Sequence, residues 1–307
     1  MEKMTINALP SRTWNRLGVN EASIEWDESA TEALPDEQVT DSAALLVESK
    51  AAFARKRVNV LAAENKRLTL FQTLRTAGRL HAQTELTAED GAEIELIQLL
   101  APQENALLYS EIIGHCHGTG RIVLRQVMLG KGDVYAQTGA ALVGDESAFT
   151  ADIGYLARNN QTLDMNLVIN HWGKKTNCEI HASGALGDAA KKIFRGTIDF
   201  KRGASGAVGS EQETVLMLGE DAVNKTVPVI LCAEEDVEGT HGASIGEMDD
   251  ETRFYFESRG IDRQTAERLL SRAAIERVAR LSASEDARAA ILKELDGETD
   301  EDDGVQA

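Results

Sequence analysis

Few residues in this 307-residue chain can carry metal or redox chemistry: it has three cysteines and six histidines. The most metal-like local run is His115-Cys116-His117. On a strand, alternate side chains share a face, so His115 and His117 would point together and Cys116 away. Two imidazoles at that spacing can hold a transition metal, although a surface or coil-interior pair is the plainer account. A second set runs from Cys232 through Glu235, Asp236 and Glu238 to His241. A neutral imidazole ligates iron when its other nitrogen is held by an acceptor, and these acids can supply that acceptor or a hard oxygen ligand. Taken alone, His241 reads as a strand-end histidine packed in a turn, and the acids as a solvated turn. Cys178 and Cys232 read first as small buried apolar residues. Cys232, nine residues before His241, is the candidate spare thiolate.

The same inventory excludes several classes. There is no CxxC pair, so one chain cannot build a four-cysteine cluster or zinc site, and three scattered cysteines are no disulfide framework. Gly130-Lys131-Gly132-Asp133 lacks the spacing and hydroxyl of a phosphate-binding loop, so any ATP would be used by a partner. No Ser-His-Asp or paired-carboxylate arrangement emerges from spacing. With 32 basic and 51 acidic residues the net charge is −19, which argues against nucleic acid and suits solubility or a basic protein partner. No apolar run approaches the ~20 residues of a membrane span. Met1 to Pro10 lacks the basic-then-apolar form of a secretory leader. The expected compartment is the cytoplasm.

The elements that would position these residues change along the chain. Residues 1–56 read as a separate helical or irregular piece, with helix propensity over Ala43–Arg55. From residue 57, apolar-alternating runs are separated by Gly, Asn and Asp turns, which is strand periodicity. Leu68–Leu74, Ile94–Leu100 and Ile122–Met128 repeat an [I/L]-x-L-x-Q-x-[L/M] pattern at intervals of 26 and 28 residues. That recurrence predicts a coil stacked on itself, a parallel β-helix, over 57–246; a β-sandwich is the competing all-β fold. Leu163–Ile169, Ile193–Phe200, Thr214–Leu218 and Thr226–Cys232 fit more loosely. Helical periodicity returns over 247–296. Asp249, Asp250 and Glu251 start a first helix and Gly260 ends it. Asp262 caps a second with an apolar stripe of Ala266, Leu269, Leu270, Ala273, Val278 and Leu281. Ser282–Glu285 opens a third as a capping box. Phe254, Tyr255 and Phe256 are consecutive and cannot all face one core, so a partner surface is expected there. The acidic end, 297–307, is expected to be disordered.

The stretch Asp221–Leu270 carries a resemblance. It contains Asn224-Lys225-Thr226-Val227-Pro228, then Asp236-Val237, then Thr240-His241-Gly242-Ala243-Ser244-Ile245-Gly246, then Phe254-Tyr255 and Arg259-Gly260. In this order the segments resemble the signature of the SufB/SufD family of iron–sulfur cluster assembly scaffolds. Phe194-Arg195-Gly196-Thr197-Ile198 is similar to the family's Phe-x-Gly-x-Ile strand, and Asn170-His171 sits where a Val-x-His segment is common. Leu9–Trp14 resembles the start of short members from anaerobic bacteria.

The resemblance implies a right-handed parallel β-helix with helical ends, two such subunits paired through the β-helix end, and C-terminal helices docking the ABC-type ATPase SufC, here at Phe254, Tyr255, Phe256 and Arg259. It implies a transient iron–sulfur cluster forming between the subunits on a SufB cysteine and a SufD histidine. His241 matches that histidine. The place of the SufB cysteine is Ala222, the glutamate following the SufB histidine is Gly242, and the SufD-like cysteine two residues earlier is Gly239. These departures imply a SufD-like chain that partners a SufB-like subunit or itself. Its alternatives are a non-catalytic adaptor for the ATPase or, more remotely, a carbohydrate-active β-helix protein, against which 5% aromatic content counts.

Overall fold

The structure is a computed structural model and describes residues 1–13 and 15–303, the side chains of 298–303 excepted. Nineteen strands and three α-helices are described. β1 (Glu2–Ile6) and β2 (Ala22–Trp26) form an antiparallel pair. The short strands β3 (Glu32–Ala33) and β4 (Glu37–Val39) lead into fifteen that alternate between two parallel sheets. They are β5 (Ala43–Ser49), β6 (Phe53–Ala62), β7 (Arg67–Thr76), β8 (Arg79–Ala88), β9 (Glu93–Leu100), β10 (Leu107–Cys116), β11 (Arg121–Met128), β12 (Asp133–Leu142), β13 (Ala148–Ala157), β14 (Thr162–His171), β15 (Asn177–Leu186), β16 (Lys191–Phe200), β17 (Ala207–Met217), β18 (Val223–Cys232) and β19 (Val237–Gly246). From β5 onward, even-numbered strands stack in one sheet, where β3 and β4 also pair with β6, and odd-numbered strands stack in the other. Each strand therefore pairs with one a full coil away, the topology of a parallel β-solenoid and not of a sandwich.

The repeat seen in the sequence is this stacking. Leu68 pairs with Ile94 and Ile94 with Ile122, in register, on β7, β9 and β11. The glutamine of each repeat faces inward and finds the next. Gln98 Nε2 donates to Gln72 Oε1 (2.7 Å) and Gln126 Nε2 to Gln98 Oε1 (2.8 Å), all three being buried. A ladder of identical amides satisfies in one column polar groups that would otherwise be costly to bury. Around it, Leu70, Leu96, Leu124 and their neighbours form one continuous apolar core between the sheets. Asn65, Asn105 and Asn159 take φ values of 59°, 62° and 55° at the corners, a left-handed conformation that asparagine tolerates.

The helix expected over Ala43–Arg55 is absent. Ala43–Ser49 is β5, paired in parallel with β7, and Phe53 begins β6, paired with β8. Edge pairing and burial of Val47 and Ala54 outweigh the modest helix preference of Ala and Leu. The solenoid thus begins before residue 57, and the helical content of the N-terminal piece among the described residues is two 3₁₀ turns, Asn15–Leu17 and Glu28–Ala30. The β1–β2 pair lies on the outer face of the even sheet. Asn7 Nδ2 donates to Asp164 Oδ1 (2.6 Å), and Arg195 spans Asp164 (2.6 Å) and the Val19 carbonyl (2.5 Å). Of the Leu9–Trp14 segment, Trp14 lies outside the described residues.

Three helices follow: α1 (Asp250–Glu257), α2 (Arg263–Leu281) and α3 (Glu285–Asp303). Asp249 and Asp262 cap α1 and α2 as expected, each accepting a backbone N–H at 2.7 Å, and Gly260 has φ 77°. The cap of α3 is Ser284, whose hydroxyl accepts from the Ala287 N–H, and not Ser282. α2 and α3 cover the outer face of the odd sheet, packing Ile275, Val278, Ala279 and Ile291 on Ile97, Leu99, Val127 and Leu156. A Cβ at Gly154 would sit 3.2 Å from Val278 Cγ2, so the glycine lets α2 approach the sheet. The apolar stripe expected on α2 is rotated: Ala266, Ile275, Val278 and Ala279 face inward, while Leu269 and Leu281 are exposed. α3 runs through Asp303, so the acidic end read as disordered is helical to that point; 304–307 lie outside the described residues.

Candidate functional site

β18 and β19 are the last rungs of their sheets, and each leaves one edge without a strand partner among the described residues. Val223 and Ile245 are exposed on them. Pro228, which has no N–H to give a ladder, sits on this outermost strand, where a proline is tolerated.

His241 lies mid-way along β19, in register with Glu211 of β17. In-register residues of a parallel pair face the same side. Glu211 is buried between the sheets. Two residues earlier on β19, a Cβ at Gly239 would meet Phe200 Cε2 and Ile230 from the inside. His241 therefore belongs to the inward face of the terminal rung, and it is exposed because no further rung covers it. Glu238 has the opposite parity and faces outward.

The other sequence candidates are not gathered around it. Cys232 ends β18 in the other sheet and its Sγ donates to the Glu234 carbonyl (2.9 Å). It is exposed and not buried as expected, because its rung is the last. Asp236 fastens the turn: its carboxylate accepts from Ser205 Oγ (2.6 Å) and its carbonyl from the Gly206 N–H (2.6 Å). At the same corner Glu234 repeats what Asp90, Asp145 and Asp188 do elsewhere, its carboxylate accepting the Gly203 N–H (2.9 Å) as each of theirs accepts a backbone N–H from a neighbouring coil's turn. Glu235 is exposed on the same turn. Ala222, at the place of the missing thiolate, stands in the turn entering β18 and packs against the core. Cys178 is buried as expected, and Cys116 points inward, its thiol pushed up to about 12 by burial. His115 and His117 are half-buried at the end of β10. Among the described residues no group of three or more His, Cys, Asp and Glu side chains could hold a metal ion.

Beneath His241 the inside of the solenoid changes character, and spacing alone had not picked out the residues responsible. Lys192 and Glu213 form a wholly buried ion pair, and Thr226 Oγ1 donates to the other Glu213 oxygen (2.6 Å). Lys192 Nζ also lies 5.5 Å from the Tyr155 and Phe194 ring centroids. Glu211, two residues before Glu213, points across the lumen at Gly196, where a Cβ would overlap its carboxylate. Burial, then the charge of Glu213, push the Glu211 carboxyl up to about 7, with Lys192 acting the other way. The signal was present: extending the alternation backward from Val215 places Glu213 and Glu211 inward. One corner away, His171 Nδ1 meets Thr176 Oγ1 (2.7 Å) and its ring lies 4.8 Å from Phe200, with burial lowering its pKa to about 4.

α1 is the remaining candidate surface. None of its residues is buried; Phe254 and Tyr255 are 72% and 52% exposed, and Arg259 lies 3.6 Å over the Tyr255 ring. Phe256 is half-buried and edge-on to Tyr255. Among the described residues no helix is long and apolar enough to cross a membrane.

Residues 45–274 match the family model described as SUF system FeS cluster assembly, SufBD core domain. Similar curated proteins include the iron-sulfur cluster assembly protein SufD of Bacillus subtilis, 34% identical over 143 residues (47% of this chain, 33% of that protein). The SufD of Escherichia coli is 27% identical over 144 residues (47% and 34%). An iron-sulfur cluster assembly SufBD family protein of Synechocystis is 28% identical over 201 residues (62% and 42%). The matched stretch thus spans about a third to two-fifths of these relatives' length.

Proposed function

The chain belongs to the SufBD core family of the SUF system, and from that premise we propose that it is a SufD-like scaffold subunit in iron–sulfur cluster assembly. In this reading the exposed terminal rungs β18 and β19 pair with a SufB-like subunit or with a second copy of the chain. His241 then meets iron or sulfide of the nascent cluster, which is the cargo, and the partner supplies the thiolate that Ala222 cannot. α1 and its aromatic face recruit a SufC-like ABC ATPase, whose ATP-driven movement exposes the ligands. This chain contributes scaffold and ligand and hydrolyses nothing itself.

The observation that carries the reading is the place of His241: inward face, last rung, uncovered. Anaerobic co-expression with the candidate ATPase and SufB-like partner, followed by iron and sulfide analysis, tests it. Metal retained by wild type and lost in His241→Ala, with the complex intact, is the expected result. Absence of any complex would sink the family function for this chain. The second reading, an adaptor with all cluster chemistry on the partner, is favoured by Ala222 and Gly239, which remove both family thiols. It predicts a complex whose metal content is indifferent to His241→Ala.

A further inference from the structure

Glu211 is 4% exposed. Among the described residues it has no hydrogen bond and no ion pair. Its neighbour Lys192 is committed to Glu213, whose second oxygen is taken by Thr226. An unpaired carboxylate in such a place costs stability, and glutamine of the same shape would cost less. The fold has nonetheless kept space for it: Gly196 faces it across the lumen, and any side chain there would collide with the carboxylate. Structure alone gives this group no task.

Its position does. Glu211 lies one rung beneath His241, about 4.8 Å along the stack, on the same inward face. A carboxylate oxygen and an imidazole nitrogen are the ligand types that borderline divalent ions such as Fe²⁺ accept together. We propose that Glu211 is a second protein ligand beside His241, so that the pair forms an entry site for an iron-class divalent cation at the end of the lumen. Water or the pairing subunit completes the coordination, since this chain brings only two groups. The inference rests on reading His241 as the residue that meets iron, and it deepens that reading by saying where the ion is first held.

The test is anaerobic titration of the full-length chain with Fe²⁺ alone, and with Co²⁺ as a spectroscopic probe. Glu211→Gln and His241→Ala should each weaken binding by about 10–100-fold. Glu211→Asp should fall between, and Gln212→Ala, on the outer face, should bind as wild type. Thermal unfolding of the cation-free proteins should show Glu211→Gln at least as stable as wild type, which separates a lost ligand from a lost fold. Wild-type binding in Glu211→Gln overturns the proposal, whether or not His241→Ala is impaired. If His241→Ala also loses the cluster in the purified complex, that outcome leaves the scaffold reading standing and removes only Glu211. Loss of iron from the complex with no effect of either substitution on Fe²⁺ binding likewise overturns the entry site alone.

Discussion

The first coils of the solenoid and the last two solve the same problem in opposite ways. Between β7 and β11 most inward residues are leucine, isoleucine, alanine and methionine, and the glutamine column Gln72-Gln98-Gln126 is closed on itself and on Thr84 and Ser110. Between β16 and β19 the inward column holds Lys192, Glu211, Glu213, Thr226 and His241, interrupted by Gly196, Gly209 and Gly239. A rung inside the stack can rely on an identical neighbour above and below. Among the described residues the final rung has no strand above it, so a polar residue there has no neighbouring rung to close on. The lumenal charges Lys192, Glu211 and Glu213 therefore lie beside the end where the repeat stops.

The contrast breaks most sharply at the buried ion pair. Lys192→Met leaves Glu213 charged and unpaired inside the protein and should cost roughly 3–5 kcal/mol, read as a shift in the denaturation midpoint. The double change Lys192→Met/Glu213→Leu should restore most of that loss. Were the double variant as unstable as the single, the end of the lumen would be a solvated pocket and not a dry interior with a deliberate charge. In the apolar coils, Leu96→Ala should cost about 2–5 kcal/mol through lost burial and the cavity left behind, without affecting cation binding at the far end. Reduced Fe²⁺ affinity in that variant would mean the two regions are coupled.

A pH series sharpens the same comparison. His171 is held neutral in the fold, with its pKa lowered to about 4 by burial, whereas in the unfolded chain it titrates near 6.5. Above pH 6.5 both states are neutral and the residue contributes nothing to the pH dependence. As the pH falls from 6.5 toward 4 the unfolded chain takes up a proton the fold refuses, and stability drops by on the order of 3 kcal/mol. His171→Phe should flatten that part of the acid limb relative to wild type. Identical slopes for the two proteins would show that His171 titrates normally and that its corner is wet.

How much of this could be read from the residues alone depended on whether each one repeats. The Leu68, Ile94 and Ile122 runs announce the solenoid because identical rungs must stack in register, whereas His241, which by itself reads as a strand-end histidine in a turn, lies mid-way along β19. Ala43–Arg55 misled because its Ala and Leu content states a local helix preference, while the decisive term, pairing with β7 and β8, lies in residues 26 or 27 positions away. Leu269 and Leu281 misled because a helix laid on a sheet chooses its buried face by fit to Gly154 and Leu156, not by hydrophobicity alone. The coil lengthens from 26 residues between Leu68 and Ile94 to 31 between Cys178 and Gly209. That drift hid the alternation that turns Glu211 and Glu213 inward.

The smallest effect on stability is expected outside the solenoid, at α1. Phe254 is 72% exposed, so Phe254→Ser should leave the unfolding free energy within about 0.5 kcal/mol of wild type. If α1 is the ATPase-docking face, the same change should strip the ATPase from the purified complex, because exposed aromatic anchors carry a disproportionate share of interface energy. Tyr255→Ser should do so less completely, since Arg259 already covers one face of that ring. The terminal rungs should be untouched, and Fe²⁺ binding by the isolated chain should equal wild type. A Phe254→Ser chain that keeps its ATPase but loses subunit pairing would move the docking surface from α1 to the solenoid and the pairing surface from β18 and β19 to the helix. That reversal would mean the two ends of the last coil have exchanged the roles given to them here.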